Sequence, residues 1–346
     1  MNANQLIKTV VIFTLTLVFN TSYSQTTHTV NNNTGTTADF TDLQTAIDAT
    51  ANGDIIYVQQ SATSYGDITI NKALTIIGRS HSDASYTSEI GTLYLDAGAS
   101  NTTIKGLKIN GIYDGSSTAE SINNIVISDN KIDVFTLGSS HFFNNVLMQG
   151  NYINSQFTIY TNTANVLISN NIIGAQYIES FMVDTLLLSN NIFSSYTGVY
   201  FYNYTPDLMN ISNCIFVSNY ASPSTINFYN NSGTYQVDNC LTYNYDTNGT
   251  YDIVPDGSAT INVNMQQNTD PLFTNINLPL YSSTIDPNDD LTLQTGSPVS
   301  DDGLYQGYNF KMFGTPTTYP SLKVTSYSST VPKNGNLTVT IEAKTN

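Results

Sequence analysis

The chain has 346 residues, of which only 10% are charged, with no tryptophan, 24 tyrosines and a net charge of −16. Such acidity opposes binding to nucleic acid, or to an acidic polymer without a bridging cation, and it also serves simply to keep a protein soluble. Asn, Thr, Ser, Tyr, Ile and Val dominate, which suits many short strands joined by polar turns and not long surface helices.

At the N-terminus Lys8 precedes an apolar run, Thr9 to Phe19, followed by the small residues Ser22 and Ser24 around Tyr23. This pattern predicts a signal peptide over residues 1–24, cleaved before Gln25, and hence a secreted, extracellular or periplasmic protein. The run is too short and Thr-rich for a membrane span, no second apolar segment replaces it, and neither cysteine lies near the cleavage point to carry a lipid. No membrane insertion and no nucleic-acid partner are expected.

Residues 25–53 read as an N-terminal cap. Asp39 to Gly53 predicts one amphipathic helix, with Thr41 and Gln44 as a capping box, an apolar face of Phe40, Leu43, Ala46 and Ile47, and Gly53 as its stop. Strand-like segments follow at Ile55 to Val58, Ile68 to Ile70 and Leu74 to Gly78.

From residue 103 a block recurs: TIKGLKI, VISDNKI, LMQGNYI, LISNNII, LLSNNIF, NISNCIF and QVDNCLT. Its key positions are Leu107, Asn130, Asn151, Asn171, Asn191, Cys214 and Cys240, spaced by 23, 21, 20, 20, 23 and 26 residues. A step of that size fits one coil of a β-solenoid, three short strands and three turns, so residues 54–249 are expected to form parallel coils. Alternation points Ile125, Val146, Val166 and Leu186 inward, and likewise Ile127, Met148, Ile168 and Leu188, and Ile132, Ile153, Ile173 and Phe193. The Asn at the key position is expected at an inward bend, stacked on its neighbours at about 4.8 Å so that the amides bond to one another and to the backbone. Residues 157–160, 199–202 and 226–229 supply further strands. Leucine-rich repeats are the rival architecture, since Leu186 to Phe193 matches their motif, but the segments between blocks alternate as strands do.

The two cysteines share one inward position on neighbouring coils, where strand spacing exceeds the ~3.8 Å between Cβ atoms that a disulfide requires. Two buried thiols are expected. The position after the key residue changes from Lys108, Lys131 and Tyr152 to Ile172, Ile192, Ile215 and Leu241, an outward aliphatic strip that water should not face. The segment from about 250 to 346 is therefore expected to fold back over it. Within that segment, 250–318 read as irregular terminal coils and 319–346 as a C-terminal strand pair.

The stretch ADFTDLQTAIDATANGDIIYV followed by ITINKALTIIG resembles the cap and first coils of the pectate-lyase-like superfamily. The resemblance implies an all-β, right-handed parallel β-helix with an N-terminal capping helix that plugs the open end of the core. It carries little about activity, because this fold hosts enzymes and inert surface proteins alike.

Candidate chemistry is sparse. Lyases of acidic polysaccharides need a base and cationic groups, often with calcium, yet Arg79 is the one arginine. Of the polygalacturonase motifs Asn268-Thr269-Asp270 and scattered Asp pairs occur, as chance matches, while G-H-G and R-I-K are absent. Lys108 and Lys131, outward on adjacent coils, could hold a carboxylate or sulfate, or be solvated and balanced by Asp129 and Asp133. Arg79, His81 and Asp83 share a polar loop in which an imidazole beside a carboxylate could act as a base. His141 stands alone. Asp246, Asp252, Asp289 and Asp290 lie in loops that could use calcium, the one cofactor the sequence suggests, or could simply form turns. Tyrosines cluster at 196, 200, 202, 204, 220, 229, 235, 243 and 245, and rings such as Tyr152, Tyr200 and Tyr202 could lie against sugar faces. The expectation is a secreted or surface-associated β-helix that interacts with polysaccharide, with lyase or hydrolase activity left open. The alternative is a non-catalytic adhesin or surface structural protein, and the sequence does not fix the oligomeric state.

Overall fold

The turn before each key residue sets the shape of the coil. Gly106, Asp129, Gly150, Asn170, Asn190, Asn213 and Asn239 all have φ between 48° and 71°. That left-handed region is open to Gly and least costly for Asn and Asp among the other residues. The chain therefore bends at the same place on every turn, and the next residue, the key position, points inward. A computed structural model describes residues 25–79, 81, 87–115, 120–175, 177–181, 183–202, 208–229, 235–254, 259–261, 264–286 and 289–299, together with the backbone of 321–327 and 339–344.

The result is an all-β parallel solenoid. An eleven-stranded sheet runs from Thr27–Val30 through one strand per coil to Ala259–Ile261. A thirteen-stranded sheet forms the rest of the wall. Its early strands are continuous, as in Lys108–Asp114, Lys131–Leu137 and Tyr152–Ile159. After Tyr152–Ile159 the ladder divides: Ile172–Gly174 pairs with its first residues and Tyr177–Phe181 with its last. The predicted registers hold, with Ile125, Val146, Val166 and Leu186 paired in succession, as are Ile132, Ile153, Ile173 and Phe193. All of these are buried in one core. Strands, not helices, join the blocks, so the leucine-rich alternative does not describe the chain.

The inward amides make a continuous ladder. Asn151 Oδ1 accepts from the Asn130 backbone N–H at 3.0 Å and from its Nδ2 at 3.2 Å, while Asn151 Nδ2 donates to Ile127 O at 2.8 Å. Asn171 and Asn191 repeat the pattern. The expected thiols continue it: Cys214 and Cys240 are free and buried, Asn191 Nδ2 donates to Cys214 Sγ at 3.8 Å, and the Cys214 N–H donates to Cys240 Sγ at 3.4 Å. A second amide ladder runs along the surface through Asn101, Asn124 and Asn145, each left-handed and joined side chain to side chain at 2.9 and 3.0 Å.

The helix is shorter than its sequence pattern. It spans Leu43–Ala49, and its N-cap is Asp42, whose carboxylate accepts from the Thr45 N–H at 2.7 Å, not Thr41. Asp39 and Phe40 are drawn away by the strand Thr27–Val30: Asp39 Oδ2 accepts from Thr29 N and Oγ1, and Phe40 bridges to Val30. Gln44, expected to complete a capping box, instead joins its amide to Thr69, accepting from its N–H at 2.7 Å and donating to its carbonyl at 3.3 Å. Gly53 lies beyond the helix, which ends at Ala49 with Thr50 as C-cap.

The outward aliphatic strip is covered. Ile172, Ile192, Ile215 and Leu241 form a second core with Phe273, Leu278, Ile285, Leu291 and Val299. At Gly174 a Cβ would stand 2.6 Å from Ser283 O, so only glycine lets the covering backbone come this close. The cover thus comes from the region between Phe273 and Val299, while Ser321–Tyr327 and Val339–Lys344 pair antiparallel with each other.

Replacing Asn171 by Ala would strand the Asn151 N–H and break the ladder, and should lower unfolding free energy by about 1–3 kcal/mol. Asn124→Gly, which deletes the exposed amide but keeps the left-handed bend open, should cost less than about 0.5 kcal/mol. Urea denaturation of both variants distinguishes the ladders, and equal costs would contradict a load carried by the buried one.

Candidate functional site

The outward ladder Glu89, Lys108, Lys131, Tyr152, Ile172, Ile192, Ile215 and Leu241 changes character along its length. Lys108 and Lys131 are paired neighbours, as expected. Lys108 Nζ lies 2.6 Å from Glu89 Oε2, so its charge is matched within the ladder, whereas Asp129 pairs with Lys105 at 3.2 Å. Lys131 Nζ stands 5.6 Å from the ring centroid of Tyr152. Tyr152 itself is only 3% exposed, with its hydroxyl 2.7 Å from Asn154 Oδ1 and 2.9 Å from Ile285 O under the covering segment. Burial, aided by the Asp133 carboxylate, pushes its phenol well above the ordinary range. It is a member of the second core and is withdrawn from any sugar platform.

Arg79 donates its backbone N–H to Ser88 Oγ at 2.9 Å. Burial, and then the Lys131 ammonium, hold the His81 imidazole down at about 4. Asp83 lies outside the described residues. The acidic loops are tied into turns: Asp246 accepts from Asn248 N, Asp290 from Thr292 N, Asp289 from Asn277 N and Asp286 N, and Asp252 from Thr250 Oγ1 and Asn268 Nδ2. Among the described residues no group of three or more His, Cys, Asp or Glu side chains is arranged to hold a metal ion, and no helix is long and apolar enough to cross a membrane.

The tyrosine cluster divides into two uses. Tyr235 is buried and stacks on Phe228 at 4.3 Å, and Tyr243 and Tyr245 pack against the second core. Tyr204 lies outside the described residues. Tyr200, Tyr202 and Tyr229 instead point outward from adjacent strands of the thirteen-stranded sheet. Tyr202 and Tyr229 are register partners with centroids 5.2 Å apart and planes 15° apart. Tyr200 stacks on both, at 6.0 Å and 6.3 Å. Tyr229 is 44% exposed, which leaves ring surface open beside the stack. Glu179 is the register neighbour of Tyr200, and partial burial raises its carboxyl above the usual range. Burial, followed by the Glu179 charge, raises the Tyr202 phenol as well.

A further feature lies on earlier coils of the same sheet, where an open cleft of about 520 Å³ is lined by Thr69, Tyr94, Asp96, Asp114, Gly115 and Ser140. Tyr94 and Tyr113 are register partners with centroids 6.2 Å apart. Asp114 ends its strand and accepts from the backbone N–H groups of Gly138, Ser140 and His141 at 3.0, 2.7 and 3.1 Å. His141 is fully buried with Nε2 3.4 Å from Asp96 Oδ1. Sequence reasoning overlooked Asp96 and Asp114. The available signal was a tyrosine followed closely by an aspartate at the ends of two paired strands, Tyr94-Leu95-Asp96 and Tyr113-Asp114.

No family model matches the chain, nor does any curated protein or solved structure.

The depressed His81 pKa has a defined sign. Between its unfolded value near 6.5 and about 4, the unfolded chain binds a proton that the folded one does not, so stability is lost as pH falls through that window. His81→Gln should flatten the fall in thermal midpoint between those values. An NMR titration in which the His81 ring protonates near 6.5 in the folded protein would contradict this.

Proposed function

We propose that this protein is an exported, right-handed β-helix of the pectate-lyase-like type that binds polysaccharide along the outer face of its thirteen-stranded sheet. The carrying observation is the stack of Tyr200, Tyr202 and Tyr229, three rings on two adjacent strands, of which Tyr229 is 44% exposed. A pyranose ring presents axial C–H groups that lie well on such a surface, while the phenol hydroxyls supply polar handles. Tyr202 and Tyr229 sit side by side on parallel strands about 4.8 Å apart, so the platform spans two coils.

Right-handedness follows the strong preference of parallel crossover connections. The helix Leu43–Ala49 supports a plug at the N-terminal end, because Leu43, Ala46 and Ile47 belong to the main core. Export rests on the leader pattern of residues 1–24.

Binding without cleavage is favoured over lyase or hydrolase action. An enzyme of this shape needs an acid, a base and a cation converging on one cleft. Here Asp114 is committed to three backbone N–H groups, Lys108 to Glu89, and Tyr152 is covered. This makes a surface adhesin or matrix-binding role the preferred form of the proposal.

The mature protein, incubated with a polysaccharide panel with and without calcium, should retain polymer in a pull-down while releasing neither unsaturated products nor reducing ends. Tyr229→Ala and Tyr202→Ala should each weaken retention about tenfold, a loss of ~1.4 kcal/mol. Failure to retain any polymer would sink the proposal, and product release would replace binding by catalysis.

A further inference from the structure

We infer that the cleft walled by Tyr94, Asp96, Asp114 and Ser140 is a second sugar subsite, and that the unit it takes carries no acidic group. The inference rests on the carbohydrate reading above and narrows its ligand class.

The cleft has an aromatic wall and a polar floor. Tyr94 is 37% exposed and is braced by Tyr113 on the next coil. Thr69 and Ser140 bring hydroxyl groups, and Asp96 brings a carboxylate. Hydroxyls of a sugar donate readily to a carboxylate, and such charge-assisted bonds are the stronger kind.

Asp96 is held in place from behind. His141 is wholly buried, neither of its ring nitrogens has a hydrogen-bond partner, and its Nε2 faces Asp96 Oδ1 across 3.4 Å. The Ala97 N–H donates to the same oxygen at 2.8 Å. Gly115 leaves room for the side chain, since a Cβ there would meet Asp96 Cγ at 2.6 Å. The Ala97 N–H bond and the close approach of the buried imidazole position the Asp96 carboxylate before a ligand arrives.

Charge then selects the ligand. Among the described residues two carboxylates line the cleft and no lysine or arginine does. Asp114 is held by three N–H dipoles in a fixed position. A uronate or sulfate would enter against both charges on a chain whose net charge is −16. The tyrosine stack further along the sheet repeats the combination, with Glu179 beside Tyr200. Neutral and amino sugars meet no such penalty.

The test uses the mature protein in affinity gels with xylan, galactan and chitosan against polygalacturonate, alginate and chondroitin sulfate. Retardation by at least one neutral or amino-sugar polymer is expected, with every acidic polymer about tenfold or more weaker. Tyr94→Ala should weaken retardation about tenfold, whereas Tyr94→Phe should retain most of it. Asp96→Asn should narrow the gap between neutral and acidic polymers. Thermal melting of each variant separates lost contact from lost fold. Acidic polymers binding as well as neutral ones would overturn the inference and leave the carbohydrate reading standing, as would a ratio unmoved by Asp96→Asn in a folded variant. Binding to none of the six would overturn the carbohydrate reading and this inference with it.

Discussion

A primary amide offers two donors and two acceptor sites, and alone inside an aliphatic core it loses more than it returns. Stacking resolves that cost. Each amide from Asn130 to Asn191 is buried, accepts from the coil before it through one oxygen and donates to a carbonyl of that same coil. The rung can exist only when the coils are in register, so it couples the bend of every coil to the bend of the next. The aliphatic ladders on either side gain from burial, at about 1.5–3 kcal/mol per large side chain, and resist a one-residue slip, but a slip of two residues keeps the same face inward. The amides supply the register that the apolar residues then exploit.

Much of this was legible because the period is short and each rung repeats a residue type. Alternation in LISNNII fixes which side chains face inward, and the spacing of 20 residues from Asn151 to Asn171 to Asn191 fixes which coils meet. The covered strip was legible for a related reason, since four aliphatic residues at an outward position require a partner. The helix boundary was not, because Asp39 and Phe40 satisfy helical spacing equally well and the competing strand Thr27–Val30 becomes visible only in three dimensions.

Site residues were harder to read. Tyr152, Tyr200 and Tyr202 look alike in sequence, yet Tyr152 lies on the facet crossed by the Phe273 to Val299 region and the others do not. The cleft was invisible because its groups come from separate coils and a loop. Asp96 follows one strand, Asp114 ends the next, and Ser140 arrives after a third. A lone histidine gave no hint that its ring would be aimed at one of those carboxylates.

The substitution of sulfur for amide at Cys214 and Cys240 has a mechanical consequence. A thiol is a poor donor and a poor acceptor, and the contacts across these rungs lengthen to 3.8 and 3.4 Å. Apart from the Phe273 to Val299 region that straps Ile172, Ile192, Ile215 and Leu241, each coil is held by its neighbours, so once that strap peels, tension along the axis concentrates at the least cohesive joint. Pulled from its two ends, the solenoid should part at the thiol rungs, shedding its final coils as a unit while the amide rungs keep the remainder wound. Single-molecule extension would register that order as an early short step followed by a later long one.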